Sequence, residues 1–298
     1  MNINPNYIQQ LTAALSRNES QQQALASQIS TGERLTGLGD GPVAAAQNVQ
    51  LSAQIAADST FTQTAATTTA RMQVADSTLG SVVDQINQAI SVATAGNNGT
   101  NNAGDQSSVA AELTSIRDEI LSLANTSYSG TYLFSGSQNG GPPFALDTST
   151  APPTATYSGD NLVNYISTPG GQSIASSLPG NEIFTAAGGD LLGTLNALIQ
   201  GFSTGDTATT TAVASQLGAA LSAVSTQRAS LDSAINRLQS ASSYASQEQT
   251  QLVTNQTNLM QADLPTLATQ LSANTTQQSA LESVIVAIEQ QGTLFDRM

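Results

Sequence analysis

The sequence predicts a mainly α protein: a long coiled-coil and helical bundle formed by the N- and C-terminal segments, with a small β-rich inserted outer domain. Three observations predict it. Apolar residues recur at alternating spacings of three and four over long stretches at both ends, which is the period of a helix seam. Residues 219–264 contain no Pro or Gly to break such a pattern. Six of the nine prolines and seven of the twelve Phe and Tyr residues fall between 128 and 189, where short apolar runs alternate with turn residues.

The first seam reads Ile8, Leu11, Leu15, Asn18, Gln22, Leu25 and Ile29, with two polar residues in its middle. Ser30-Thr31-Gly32 supplies a stop signal. Gly37–Gly41 reads as a turn, and Asp40 or Gly41 would cap a second helix opened by Pro42. That helix runs over about 43–95 and carries Leu79, Val82 and Ile86 on one face. Gly96-Asn97-Asn98-Gly99 breaks it. Ser107 or Ser108 would cap a third helix whose core face holds Leu113, Ile116 and Ile120, giving an αα-hairpin.

After the Pro- and Gly-rich stretch the helical pattern returns from about 190. Leu217, Leu221, Val224, Arg228, Leu231, Ile235 and Leu238 keep the seam spacing on a helix spanning 219–260. Asp263 is placed to cap a last helix around Pro265. Its seam holds Leu264, Leu267, Leu271, Asn274, Gln278, Leu281, Ile285 and Ile288, with Phe295 further along. The two terminal seams share one pattern: Leu15-Asn18-Gln22-Leu25 against Leu271-Asn274-Gln278-Leu281. Polar residues at seam positions cost stability and can fix register; the alternative is that both ends are simply poor in strong apolar residues. Either way each end is too thin to fold well alone, so the ends are expected to order with partners.

Composition closes off much chemistry. The chain has 298 residues, a net charge of −14, and only 9% charged residues; 122 residues are Ser, Thr, Asn or Gln. Cys, His, Trp and Lys are all missing, and the seven basic residues are all Arg. Disulfides, thiol nucleophiles, His- or Cys-bound metals, Ser–His–Asp triads and Schiff-base lysines are therefore excluded. The acidic balance argues against a nucleic-acid partner, which needs cationic surface to displace counterions. The longest apolar run, Val284–Ile288, has five residues, so no membrane insertion is expected. The start, MNINPNYIQQL, has neither a cationic nor an apolar region, and no cleaved secretory signal is expected.

Remaining candidates for chemistry are weak. Asp118 and Glu119 are adjacent, so a helix points them about 100° apart, and a solvated face explains them. Gly37-x-Gly39-x-Gly41 lacks the strand and third glycine of a dinucleotide loop. A lone Asp40 makes no cation site. No enzyme, cofactor or metal is expected. The aromatic residues of 128–189 read as the core of the insertion, with a carbohydrate-binding face as the alternative.

Several motifs carry a resemblance. Ser30-Thr31-Gly32-Glu33-Arg34-Leu35 followed by Asp40-Gly41-Pro42-Val43-Ala44-Ala45-Ala46 resembles the N-terminal signature of the flagellin-like axial proteins of bacteria, in the form found in their hook–filament junction branch, the hook-associated protein 3 type. Leu123-Ala124-Asn125-Thr126, Tyr132-Leu133-Phe134-Ser135-Gly136, Pro142-Pro143-Phe144, Gly180-Asn181-Glu182-Ile183-Phe184 and the ending Leu294-Phe295-Asp296-Arg297-Met298 are similar to that branch as well. The first six residues and the absence of Lys depart from it, and 145–180 matches no motif. The resemblance implies a structural protein, exported without a cleaved signal to the extracellular flagellum. It implies self-assembly in a ring, neighbours that are another hook-associated protein and flagellin, and an export chaperone on the C-terminal region. It also implies three parts: a terminal coiled coil of 1–42 with 261–298, a bundle of 43–127 with 190–260, and an outer β domain of 128–189. The heptads, the αα-hairpin and the insertion suggest the same layout on their own. A short flagellin is the alternative within the class, and a secreted carbohydrate-binding or adhesive protein the alternative outside it.

Overall fold

The structure, a computed structural model, describes residues 5–34, 41–98, 102–138, 140–150, 153–186 and 188–295. In chain order the elements are α1 (Pro5–Thr31), α2 (Pro42–Gly96), α3 (Ala103–Ala124), β1 (Ser127–Tyr128), β2 (Thr131–Tyr132), β3 (Phe144–Asp147), β4 (Thr154–Tyr157), β5 (Tyr165–Ser167), β6 (Ser173–Ala175), α4 (Asn181–Phe184), α5 (Leu191–Thr204), α6 (Thr207–Met260) and α7 (Leu264–Phe295). The protein is mainly α, as the periodicity predicts, and the strands pair as three antiparallel hairpins: β1 with β2, β3 with β4, β5 with β6. Two compact units divide the chain, 1–57 with 248–298 and 58–247.

In the first unit α1 packs against α7. Gly32 ends α1 at φ 70°, a conformation that glycine adopts without cost, and its N–H donates to Gln28 O. Asp263 caps α7, accepting from the Thr266 hydroxyl at 2.7 Å, so Pro265 sits in the first turn where its missing N–H costs nothing. Gly37–Asp40 of the turn before α2 lie outside the described residues, as do Asp296–Met298; Gly41 O accepts from Ala45 N.

In the second unit α2 buries Asp58, Phe61, Ala65, Met72, Ala75, Leu79, Val82, Ile86, Ala89, Ala93 and Gly96. That face keeps a spacing of three and four with one gap, which holds one stripe inward along the helix. Gly96 is small for a reason: a Cβ there would come within 2.7 Å of the Phe202 ring. The hairpins do not build a core of their own. Phe134, Phe144, Ile174, Ile183 and Phe184 belong to the same cluster as the helices of this unit. Phe134 and Phe144 each meet Phe184 edge to face, with ring centroids 5.5 and 5.3 Å apart. Each fully buried ring removes enough apolar surface to contribute about 1.5–3 kcal/mol. Such a shared core makes 128–189 contiguous in packing with α3 and α5.

Three local expectations need correction. The cap of α3 is Asn102, not Ser107 or Ser108; its side chain accepts from Gly104 N and Asp105 N, and Asp105 accepts from Asn102 N in return. This reciprocal box starts the helix a turn earlier, and Ser108 instead donates to Gly104 O. The helix expected over 219–260 begins at Thr207, since Gly218 is tolerated on its exposed face. A separate helix, α5, precedes it, capped by Asp190 and closed by Gly205 at φ 72°.

Candidate assembly seam

The terminal seam is an antiparallel helix pair. Leu25, Ala262 and Leu267 are buried in it, with Ile29 and Leu271 packed against them. Leu11, Leu15 and Gln22 on α1, and Gln278, Leu281, Ile285 and Ile288 on α7, are half-buried. The side chain of Ile8 lies outside the described residues. Leu264 does not join the seam: it is 46% exposed. It is the first residue of α7, where the turn set by Asp263 and Pro265 governs direction, and Ala262 fills the inward position instead.

One polar seam position from each helix meets the other. Asn18 Nδ2 donates to Asn274 Oδ1 at 3.0 Å, and the residues are only 5% and 7% exposed. The match is one-sided, for Asn18 Oδ1 and Asn274 Nδ2 are buried without a partner. The other two polar positions do not meet. Gln22 reaches Thr275 Oγ1 at 3.1 Å, and Gln278 donates along its own helix to Glu282. Beside the pair, the chain crossing between α6 and α7 is pinned to the end of α1. Arg34 N donates to Met260 O, Ala262 N donates to Gly32 O, and the Arg34 guanidinium reaches Leu259 O at 2.9 Å. A cation on the last carbonyls of α6 answers both their unmet hydrogen bonds and the helix dipole. Further along the same unit Gln256 Nε2 donates to Asn48 Oδ1 and Ser52 Oγ of α2.

The residues named for the bundle core take these positions. Leu79, Val82, Ile86, Leu113, Ile120, Val224 and Leu238 are fully buried; Ile116, Leu231 and Ile235 are buried nearly as well. Leu221 is only half-buried, and Ala220 holds the fully buried position. Both fit the spacing before Val224; the closeness of the opposing elements favours the smaller side chain. Sequence reasoning missed the polar fastenings of this core. Arg117, 4% exposed, donates to Asp118 and to Asn196 Oδ1 of α5. Arg228 forms an ion pair with Asp76 at 2.6 Å, which raises the guanidinium's proton affinity. The side chain and backbone of Asn125 and Phe144 exchange two hydrogen bonds, 2.8 and 2.9 Å, joining the end of α3 to β3. Gly180 donates to Phe134 O, and a Cβ on it would strike Phe144 at 2.7 Å. Asn125, Phe134, Phe144 and Gly180 come from four separated motifs, and their meeting supplies a packing reason for each. Tyr165 is the one exposed ring among the seven aromatic residues of this stretch. Among the described residues no helix is long and apolar enough to cross a membrane.

Comparison with known proteins places part of the chain. Residues 3–139 match the family described as the bacterial flagellin N-terminal helical region. Those residues are flagellin-like. Over this flagellin-like region the chain is 32% identical across 137 residues to flagellar hook-associated protein 3 of Salmonella typhimurium, covering 46% of this chain and 43% of that protein. Flagellar hook-associated protein 3 of Escherichia coli is 31% identical across 138 residues, covering 44% of its length. The matches thus span less than half of these relatives. The fold extends further. A Vibrio parahaemolyticus protein assigned as flagellar hook-associated superposes with a TM-score of 0.66 at 20% identity, covering 74% of this chain and all of that one. FlgL of Bacillus cereus superposes with a TM-score of 0.58 at 17% identity, over 70% of this chain and 99% of that one. The flagellin-like region and the elements that follow it therefore share one mainly α fold with these structures.

Proposed function

We propose that this protein is a structural component of the bacterial flagellum, the junction piece that links hook to filament and templates flagellin assembly, and that it performs no enzymatic step. The observation that carries this reading is the flagellin-like helical region joined to a terminal seam too thin to be a finished core. Among the described residues the apolar cluster of this pair buries just Leu25, Ala262 and Leu267, along helices of 27 and 32 residues. Such a pair gains stability by stacking with copies of itself and with neighbouring axial proteins. The Asn18–Asn274 contact sets the register in which it does so.

In this account copies form a ring in the axial structure, with another hook-associated protein on one side and flagellin on the other. Before export a chaperone covers the C-terminal region, because the half-exposed stripe of Leu271, Leu281, Ile285 and Ile288 is otherwise an aggregation hazard. The chain reaches the extracellular flagellum through the flagellar secretion system. The division of labour follows the sequence: 1–42 with 261–298 assemble, 43–127 with 190–260 stiffen, and 128–189 face outward. A short flagellin would share the same flagellin-like region; it differs in being abundant along the filament.

Truncation after Gln261 tests the reading. The shortened chain should keep 43–260 folded, with near-native helicity, yet fail to add to hooks, and the cells should release flagellin into the medium. A truncated chain that still supports filament growth removes the terminal seam from the mechanism.

A further inference from the structure

Six arginines lie among the described residues, and five are tied down within the chain. Arg17 donates to Ala13 O, Arg34 to Leu259 O, Arg71 to Ser176 O, Arg117 to Asp118 and Asn196, and Arg228 to Asp76. Arg237 has no hydrogen-bond or ion-pair partner among the described residues. It lines a groove of about 580 Å³ between α6 and the β5–β6 turn, with Asn236, Ser240 and Tyr244 on the helix and Pro169 and Gln172 on the turn. Tyr244, two helical turns along, is 66% exposed. An unpaired guanidinium beside an open aromatic face and hydroxyl and amide groups is a receptor for a carboxylate, which it can grip through two parallel N–H bonds.

The complementary group is on the other side of the same helix. Arg228 pairs with Asp76 at 2.6 Å, and Asp232, one helical turn along α6 from Arg228, is an exposed carboxylate. Asp232 and Arg237 are five residues apart, so an α-helix points them about 140° apart, on opposite flanks of α6. The whole chain has 21 acidic residues to seven Arg, so a free Arg is scarce and a carboxylate to meet it is abundant on any second copy. From these observations we infer that the Arg237–Tyr244 groove of one copy receives the Asp232 flank of α6 in the next copy of this chain. Because the two surfaces differ, the contact is head-to-tail and propagates into a ring or a helix rather than closing as a pair. The inference rests on the ring reading above and names the surfaces that build it.

Charge exchange in the full chain tests it, in cells lacking their own copy. The readout is the amount of the chain retained on purified hooks, and thermal unfolding of each purified variant controls for folding. Arg237→Glu and Asp232→Arg should each lower retention about tenfold with unchanged melting, and the double exchange should restore most of it. Normal retention of Arg237→Glu overturns the inference. So does a double exchange without rescue, which would assign the groove to another partner. A Tyr fluorescence change when free monomer is titrated with glucuronate, lost in Arg237→Glu, would assign the groove to acidic saccharide and overturn it too. Wild-type chain missing from hooks overturns the flagellar reading itself, and the contact with it.

Discussion

Replacing the Asn18–Asn274 pair offers a quantitative view of the terminal seam. Each amide makes one cross-helix bond, 3.0 Å long, and leaves one polar atom buried and unpaired. A net hydrogen bond contributes about 1 kcal/mol, and a buried orphan costs about 1–3 kcal/mol. The pair is therefore close to neutral or unfavourable as it stands. Asn18→Leu alone gains about 1.5–3 kcal/mol of burial. It also strands both polar atoms of Asn274, so the two effects nearly cancel and the variant should match wild type within about 1 kcal/mol. Asn274→Leu alone should behave the same way. Together they remove every orphan and bury two Leu side chains, for a gain of at least about 3 kcal/mol, near the upper end of measured couplings between neighbours. Amide exchange in the full chain reads this locally: opening of α1 and α7 should slow about 100-fold in the double variant and stay within a few-fold in each single. In wild type both helices should exchange faster than the core of α6. If each single already gives half of the double's protection, the two amides are not coupled and the seam geometry is wrong.

Other outcomes follow from the second unit. Leu231→Asp puts a carboxylate at a position 3% exposed and should cost at least about 3 kcal/mol, whereas Asp147→Ala at a hairpin end should not; equal melting temperatures would reject the core placement. Gly180→Ala pushes a methyl to 2.7 Å from the Phe144 ring and 2.8 Å from Phe134 O, so it should cost about 1–3 kcal/mol of stability by chemical denaturation. The Ser137 hydroxyl, then its backbone N–H, holds the Asp160 carboxyl below its ordinary range; Ser149 does the same for Asp147, and Thr209 for Asp206. A depressed folded value means stability that is present above the unfolded value and lost as pH falls through the folded one. Protection at Ser137, Ser149 and Thr209 should therefore drop only below about pH 4. Loss of protection on raising the pH from neutrality would contradict that assignment.

Much of this was legible in the sequence because long seams repeat their signal many times. The pattern from Met72 to Ala93, and the one through Val224 and Leu238, point to the helices and to their buried faces. Single-residue choices were less legible. Ala220 and Leu221 both satisfy the spacing before Val224, and only the crowding opposite them selects the alanine. The first residue of a helix obeys its cap more than its seam, which is why Leu264 faces out. The Asn102–Asp105 box could have been found from its spacing, and the Leu-rich run from Leu191 to Phe202 from its apolar density. Contacts between distant segments left no local trace: Asn125 with Phe144, Arg117 with Asn196, and the lack of a partner for Arg237 among the described residues depend on the fold. The pairing of Asn18 with Asn274 was half-visible, since the two seams share a pattern, but that pattern equally offered Gln22 to Gln278, which do not meet.

Position and copy number on the flagellum test the central proposal most directly. Gold labelling of the full chain on intact flagella, counted by electron microscopy, should place a small fixed cluster at the boundary between hook and filament and none beyond it. Label distributed along the filament would make the protein a flagellin, and label absent from the flagellum would contradict the account.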